Sequence, residues 1–291
     1  MKLLKQLSVA FLIVAMVVFA VTMLLQLQKQ QNEPPTILMD SEEIEMSVED
    51  ASEKILSGIT ASDKEDGDVS SSIVIEGISL GENEKERLVT VAAFDSNNNV
   101  VKATRKVTYT DYTPPVFSLA GSWSVPIGTE IEDIAQSLSA VDLIEGDISN
   151  RIRYYNTQTS EFNPNVAGMY SVVFSVSNEV GLTEEFVAPV EVYEKNVKFD
   201  ASIELVEPIV YVRQGSEFDP MQYVSSITVD KKVYQYEDGV LEGDEDDIIF
   251  DDLEVTNPVN TDIPGWYEVD YTVIYEDKPA RTAYLLVRVQ G

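Results

Sequence analysis

Asp63, Asp66 and Asp68 fall in the run Ala61-Ser62-Asp63-Lys64-Glu65-Asp66-Gly67-Asp68-Val69-Ser70, and Asp95 heads the turn-forming cluster Asp95-Ser96-Asn97-Asn98-Asn99. Carboxylate oxygens are hard ligands, and several on neighbouring loops are what Ca²⁺ takes. The set returns 79 residues on, in Ala140-Val141-Asp142-Leu143-Ile144-Glu145-Gly146-Asp147-Ile148-Ser149, with Asp142, Glu145 and Asp147 in the matching places. Two readings stand side by side. The acids form calcium sites, or Asp and Gly are simply good turn formers, with Asp capping local N–H groups. Lys64 aligns with Leu143, which leaves the ligand number open under the first reading. A third acidic stretch, Asp244-Glu245-Asp246-Asp247, lacks the spacing and central Gly of an EF-hand and reads as a solvated loop.

Other chemistry is narrowed by composition. The chain has no His and no Cys, which removes thiolate nucleophiles, disulfides, His–metal sites and Ser-His catalysis. Paired carboxylates alone permit a glycosidase, yet nothing in the spacing places two of them in a cleft; no enzyme is expected. A formal charge of −31 repels nucleic acid, so that partner is not expected either.

The elements that must position these acids follow from periodicity. A fixed offset between matching loops marks an internal repeat. Each loop turns on a Gly and runs straight into a strand-like stretch. Val89, Val91 and Ala93 share one face of a strand, as do Tyr170, Val172, Phe174 and Val176, and again Tyr267, Val269, Tyr271, Val273 and Tyr275. Ser47 to Leu56 and Ile131 to Leu138 carry brief helical spacing. Asp111-Tyr112-Thr113-Pro114-Pro115 marks a stiff junction, because paired prolines donate no N–H and fix φ. Trp123, near a loop, is expected to be exposed and suited to stacking on a sugar, whereas Tyr267, Tyr271 and Tyr275 are expected in the core.

Before the repeats, Leu7 to Leu27 is almost entirely apolar, long enough at about 1.5 Å per residue to match a bilayer core of about 30 Å. Lys2 and Lys5 precede it and an acidic region follows, which orients an anchor with its N-terminus in the cytoplasm. A cleaved signal peptide, cut after Ala20, is the competing reading, but the apolar run continues past that cut. The expected fold is all-β, tandem immunoglobulin-like β-sandwiches after one N-terminal transmembrane helix. The expected divisions are 1–32 (short cytoplasmic stub, transmembrane helix and stalk), 33–112, 113–195 and a divergent 196–291.

The loop Ala140 to Ser149, the turn Gly128-Thr129, the hairpin from Ala167-Gly168-Met169-Tyr170 through Asn178 to Gly181, and Pro264 to Tyr275 in the last unit together resemble bacterial immunoglobulin-like repeats. The resemblance covers nearly everything beyond residue 32. It implies an extracellular bacterial setting and a binding, adhesion or spacer role at the cell surface, with the membrane and an unidentified surface protein or glycan as partners. The linker Asp111-Tyr112-Thr113-Pro114-Pro115 is also similar to those of cadherins, which implies a junction acid available to calcium. An accessory subunit of an envelope assembly or polysaccharide export machine, docked through its transmembrane helix by Thr22 and Gln26, is the alternative.

Overall fold

The computed structural model describes residues 11–24, 33–194, 201–242 and 248–291. Residues 11–24 are helical; the expected span continues on both sides into residues outside the described ones. Among the described residues, no helix is long and apolar enough to cross a membrane. Everything else is predominantly β-sheet, and the chain divides into two compact units, 1–112 and 113–291.

In the first unit, β1 (Thr36–Met39), β2 (Glu43–Met46), β3 (Ile59–Asp63), β4 (Gly67–Asp68), β5 (Val74–Leu80), β6 (Glu86–Phe94) and β7 (Val100–Tyr109) form two sheets, ordered β1-β3-β4 and β2-β7-β6-β5. The alternation read in β6 is the core face: Val89, Val91 and Ala93 are at most 1 % exposed. The helical spacing after Ser47 is a single 3-10 turn, Ser52–Leu56, which buries Ile55. Arg105 of β7 stands where an apolar residue would alternate inward and is fully buried. It donates from Nε to Ser41 O at 3.1 Å and from Nη1 to Ile55 O and Ser57 O at 2.8 and 2.7 Å. A guanidinium fork can satisfy three carbonyls that strand pairing leaves over, and burying it costs free energy unless it does. Arg87, also buried, lies 4.5 Å from the Tyr112 ring centroid.

The second unit holds two more sandwiches on the same plan. The first has β8 (Val116–Leu119), β9 (Ser124–Pro126), β10 (Leu138–Asp142), β11 (Gly146–Asp147), β12 (Arg153–Asn156), β13 (Gly168–Ser177) and β14 (Thr183–Tyr193), in sheets β11-β10-β8 and β12-β13-β14-β9. A short α-helix, Ile131–Ser137, lies where helical spacing appears in the sequence and buries Ile134. The other has β15 (Ala201–Leu205), β16 (Ile209–Arg213), β17 (Val224–Val229), β18 (Lys232–Glu237), β19 (Val240–Leu241), β20 (Asp252–Thr256), β21 (Gly265–Tyr275) and β22 (Lys278–Gln290), in sheets β15-β17-β18-β19 and β16-β22-β21-β20. In all three sandwiches the second strand pairs in parallel with the last: β2 with β7, β9 with β14, β16 with β22. The acidic stretch 244–247 and the expected boundary at 195/196 lie outside the described residues.

The two sandwiches of this unit are not separate beads. One core cluster holds Phe117, Trp123, Phe174 and Phe186 of the first together with Ile209, Tyr284 and Leu286 of the second. Trp123, expected at the surface, is instead wholly buried. Its ring is 6.0 Å from Phe174 and 5.9 Å from Phe186, and Nε1–H donates to Pro208 O at 3.4 Å. The outer face of sheet β16-β22-β21-β20 supplies the rest of the joint. Phe117 N–H donates to Tyr211 Oη (2.6 Å), the Phe186 and Trp266 rings are 4.9 Å apart, and Glu184 pairs with Arg288 (2.9 Å) while accepting from Trp266 Nε1 (3.2 Å). Residues that alternate outward in an isolated sandwich are therefore core here. Tyr271 is buried as expected, and Tyr267 and Tyr275 are half-buried.

Candidate functional site

The repeated acidic loop is built twice in the same way. In the first sandwich, Asp63 closes β3 and is nearly buried; its Oδ1 accepts from Glu65 N–H (2.7 Å) and Asp66 N–H (2.9 Å). In the second, Asp142 closes β10, 1 % exposed, and its Oδ1 accepts from Ile144 N–H (2.8 Å) and Glu145 N–H (3.0 Å). The chain then turns at Gly67 and Gly146, each at φ +78°, a left-handed conformation that costs a residue with a Cβ about 1–2 kcal/mol. Ser70 and Ser149 complete the loop: each Oγ accepts from the N–H of Ala61 or Ala140 at 3.0 Å.

The acid directly before the glycine of each loop reaches across to the hairpin between the last two strands. Asp66 accepts Ser96 N–H at 2.7 Å and Ser96 Oγ–H at 3.0 Å, and Glu145 accepts Glu179 N–H at 2.6 Å. Arg151 pairs with Glu145 at 2.5 Å. On the hairpin itself, Asp95 accepts from Asn97 N–H and Asn99 N–H at 2.9 and 2.7 Å, while its counterpart Asn178 donates from Nδ2 to Asp142 at 3.1 Å. Asp68 and Asp147 accept from Ser70 N–H and Ser149 N–H, both at 2.9 Å. Hydrogen bonds from those serines hold both carboxyls below the usual range. Burial works against the Asp95 charge, but the bonds from Asn99 and Asn97 outweigh it and its pKa is also lowered.

All seven candidate calcium ligands, Asp63, Asp66, Asp68, Asp95, Asp142, Glu145 and Asp147, accept hydrogen bonds from backbone or side-chain donors of their own loops or, for Asp66, Asp142 and Glu145, of the facing hairpin. The structure gathers them into two latches, each tying one sheet of a sandwich to the hairpin of the other. Among the described residues, no group of three or more such side chains is arranged to hold a metal ion. The junction acid Asp111 is used similarly: it accepts Ser47 Oγ–H at 2.5 Å and Val48 N–H at 2.9 Å, and the Ser47 bond lowers its pKa.

Sequence reasoning did not find a second group, at the joint of the second unit. Glu268 and Asp270 are two apart on β21 and so share a face, beside Tyr284 of β22. Burial, then the charge of Asp270, pushes the Glu268 carboxyl up to about 7; burial also raises Asp270, whose Oδ1 has no hydrogen-bond partner. Tyr284 Oη–H donates to Met169 Sδ at 3.2 Å, and burial pushes its phenol up to about 12. Glu191 faces Arg281 at 3.7 Å, and that guanidinium stacks 3.8 Å from the Tyr193 ring centroid. In the sequence Glu268 and Asp270 fall on the outer face of β21 between Trp266 and Thr272, opposite the apolar and aromatic face Tyr267, Val269, Tyr271, Val273 and Tyr275.

No family model matches the chain. An uncharacterized 81.3 kDa protein of Acholeplasma phage L2 is 32 % identical over 111 residues, which are 38 % of this chain and 14 % of that protein, so the chain spans about a seventh of the curated relative it matches. Among solved structures, a Clostridium perfringens protein containing a CBM51 module in complex with GlcNAc and INT domains is 18 % identical, with 53 % of this chain and 26 % of that one covered and a TM-score of 0.23. A lipoprotein of Bacteroides thetaiotaomicron is 16 % identical, covering 60 % and 99 %, also at a TM-score of 0.23. The protocadherin gamma B4 extracellular domain is 10 % identical, covering 89 % and 50 %, at a TM-score of 0.20.

Proposed function

We propose that this chain is a bacterial cell-surface protein, held by its N-terminal apolar segment as a single-pass anchor with the N-terminus in the cytoplasm. Its three sandwiches are immunoglobulin-like and act outside the membrane in binding, adhesion or spacing, without catalysis. The observation that carries this reading is the threefold sandwich plan, with the acids of the first two copies spent on latching loops rather than gathered in a cleft. Rigidity is what such latches supply, and a rigid array suits presentation of a surface to a protein or glycan. The alternative is docking to an envelope machine through the helix, where the Thr22 hydroxyl donates within its own helix, 2.9 Å from Val18 O and Phe19 O, and keeps its lone pairs for a partner's donor.

The test uses the full chain in a bacterial host with one membrane. A membrane-impermeant amine reagent applied to intact cells is expected to modify Lys102, whose side chain is 56 % exposed. Modification of Lys102 only after lysis overturns the proposed topology. Loss of cell–cell or cell–surface attachment on deletion of the gene is the expected functional counterpart.

A further inference from the structure

At the end away from β2, β9 and β16, three of the four-stranded sheets finish in β5, β12 and β20, each with one edge outside the ladder. Two of these edges are guarded. In β12, Tyr154 and Tyr155 donate to Glu132 (2.6 Å) and Glu185 (2.7 Å), which ties their rings down along the rim. In β20, Leu253 and Val255 pack against the core of their sandwich together with Ile248 and Phe250, and Asp252 and Glu254 alternate with them. Charged, short or covered edges are how sheets avoid pairing with other chains.

The β5 edge has little of this. It is seven residues long, Val-Ile-Glu-Gly-Ile-Ser-Leu, and all but the last are exposed. Ile75 and Ile78 pair across the ladder with Val91 and Val89, so they point to the core face, yet they are 37 % and 46 % exposed. The facing sheet has only three strands, β1-β3-β4, and leaves this rim of the four-stranded sheet uncovered. The one charge in the strand, Glu76, is paired with Lys102. A bulge at Glu76–Gly77 is the only other protective device in it.

From this edge we infer that β5 accepts an extended segment of a partner protein as an added strand, with small apolar residues alternating over Ile75 and Ile78 and lysine or arginine at its flanks. Strand addition takes affinity from backbone hydrogen bonds and specificity from alternate side chains. The basic flanks follow from charge: the loop before β5 carries exposed Glu65, Asp66 and Asp68 against Lys64, and the turn after it Glu82 and Glu84 against Lys85, so both ends of the edge are net negative. Charge also selects against a second copy of this chain, since two molecules of net charge −31 repel. This inference rests on the binding reading above and names a partner class for it.

The experiment titrates the full chain in detergent micelles with a ten-residue Lys–Val peptide, two Lys at each end and Val alternating with Ser between them, and with the counterpart carrying Glu in place of Lys as control. The expected result is saturable binding of the Lys–Val peptide only, with hydrogen exchange slowed in β5. Ile78→Lys, at an exposed position, weakens binding at least tenfold, while Leu88→Lys on β6 leaves it unchanged. Absence of binding, binding indifferent to Ile78→Lys, or protection confined to other strands overturns the inference. So does concentration-dependent dimerisation abolished by Ile78→Lys, which assigns the edge to a second copy. Attachment of cells that persists with Ile78→Lys sinks the β5 site alone and leaves the binding role standing.

Discussion

Replacing Trp123 with Ala tests whether the second and third sandwiches fold as one. The indole is wholly buried among Phe174 and Phe186 and donates to Pro208 O. Truncating a buried Trp costs about 3–5 kcal/mol, and the abandoned carbonyl adds about 1 kcal/mol. A loss of about 4–6 kcal/mol is a large share of a typical stability of about 5–15 kcal/mol. For a unit the size of residues 113–291 it corresponds to a drop in Tm of roughly 8–24 °C. The informative assay is native-state hydrogen exchange read strand by strand. If the shared core makes one cooperative unit, the amides of β13 and those of Val269 and Leu285, in the far sandwich, lose the same opening free energy. Protection at Val269 and Leu285 that survives while β13 opens early refutes the idea of a single core and restores two independent beads.

The latches give a second set of expectations. Asp142→Ala removes two backbone N–H bonds and the one from Asn178 Nδ2, about 1.5 kcal/mol each, and is expected to cost about 4–5 kcal/mol in urea unfolding, while Asp63→Ala, which removes two, costs about 3 kcal/mol in the first unit. Melting temperatures in millimolar Ca²⁺ and in chelator are expected to coincide, because the loop carboxylates are already engaged by donors; a rise of several degrees with Ca²⁺ contradicts that geometry. Arg105→Lys is expected to destabilise the first unit by about 2–3 kcal/mol, since an ammonium cannot fork to Ser41, Ile55 and Ser57, and a thermal melt equal to wild type rejects the role given to the guanidinium.

Stability against pH has two limbs. Asp68, Asp95, Asp111 and Asp147 have lowered folded values, so their contribution is complete above about 4, the unfolded value, and is lost as pH falls through the folded ones. Glu268 has the opposite sign: held at about 7 when folded against 4.5 unfolded, it makes the second unit lose stability as pH climbs from about 4.5 to 7. The full difference is worth about 3 kcal/mol, cut to about 1–2 kcal/mol because the side chain reaches solvent. Glu268→Gln is expected to flatten that limb, which chemical denaturation at pH 5 and pH 8 reads directly.

Much of the architecture is legible in single strands. The alternation in β6, β13 and β21 marks their core faces because one side of each strand meets a sheet and the other does not. The joint is less legible for the same reason: outward positions such as Trp266 and Tyr284 look like ordinary half-exposed aromatics until a second sandwich covers them. One signal was available. Ala283-Tyr284-Leu285-Leu286-Val287 is apolar without alternation, and all five are buried, which is how a strand covered on both faces reads. The acidic loops were recognised as a repeat, but ligand and cap use the same carboxylate oxygens. The contact to the far hairpin was not legible: Ser96 and Glu179 stand 30 and 34 residues beyond the acids they donate to, and nothing local announces it. Arg105 was missed because a cation at a core position is the exception to the pattern that locates the core.

The parallel pairing of each second strand with its last has a mechanical consequence. In the first unit, β2 follows the short opening strand β1 and β7 closes the sandwich, the two running side by side along four residue pairs from Glu43–Lys106 to Met46–Tyr109. A pull on the two ends of that sandwich, once transmitted through β1, drags β2 and β7 past each other along their length, so the ladder between them resists in shear and its hydrogen bonds must yield together. An antiparallel pair loaded from the same end would instead unzip one bond at a time. The same geometry recurs at β9 with β14 and β16 with β22, so each of the three sandwiches meets tension along its length with a ladder loaded in shear.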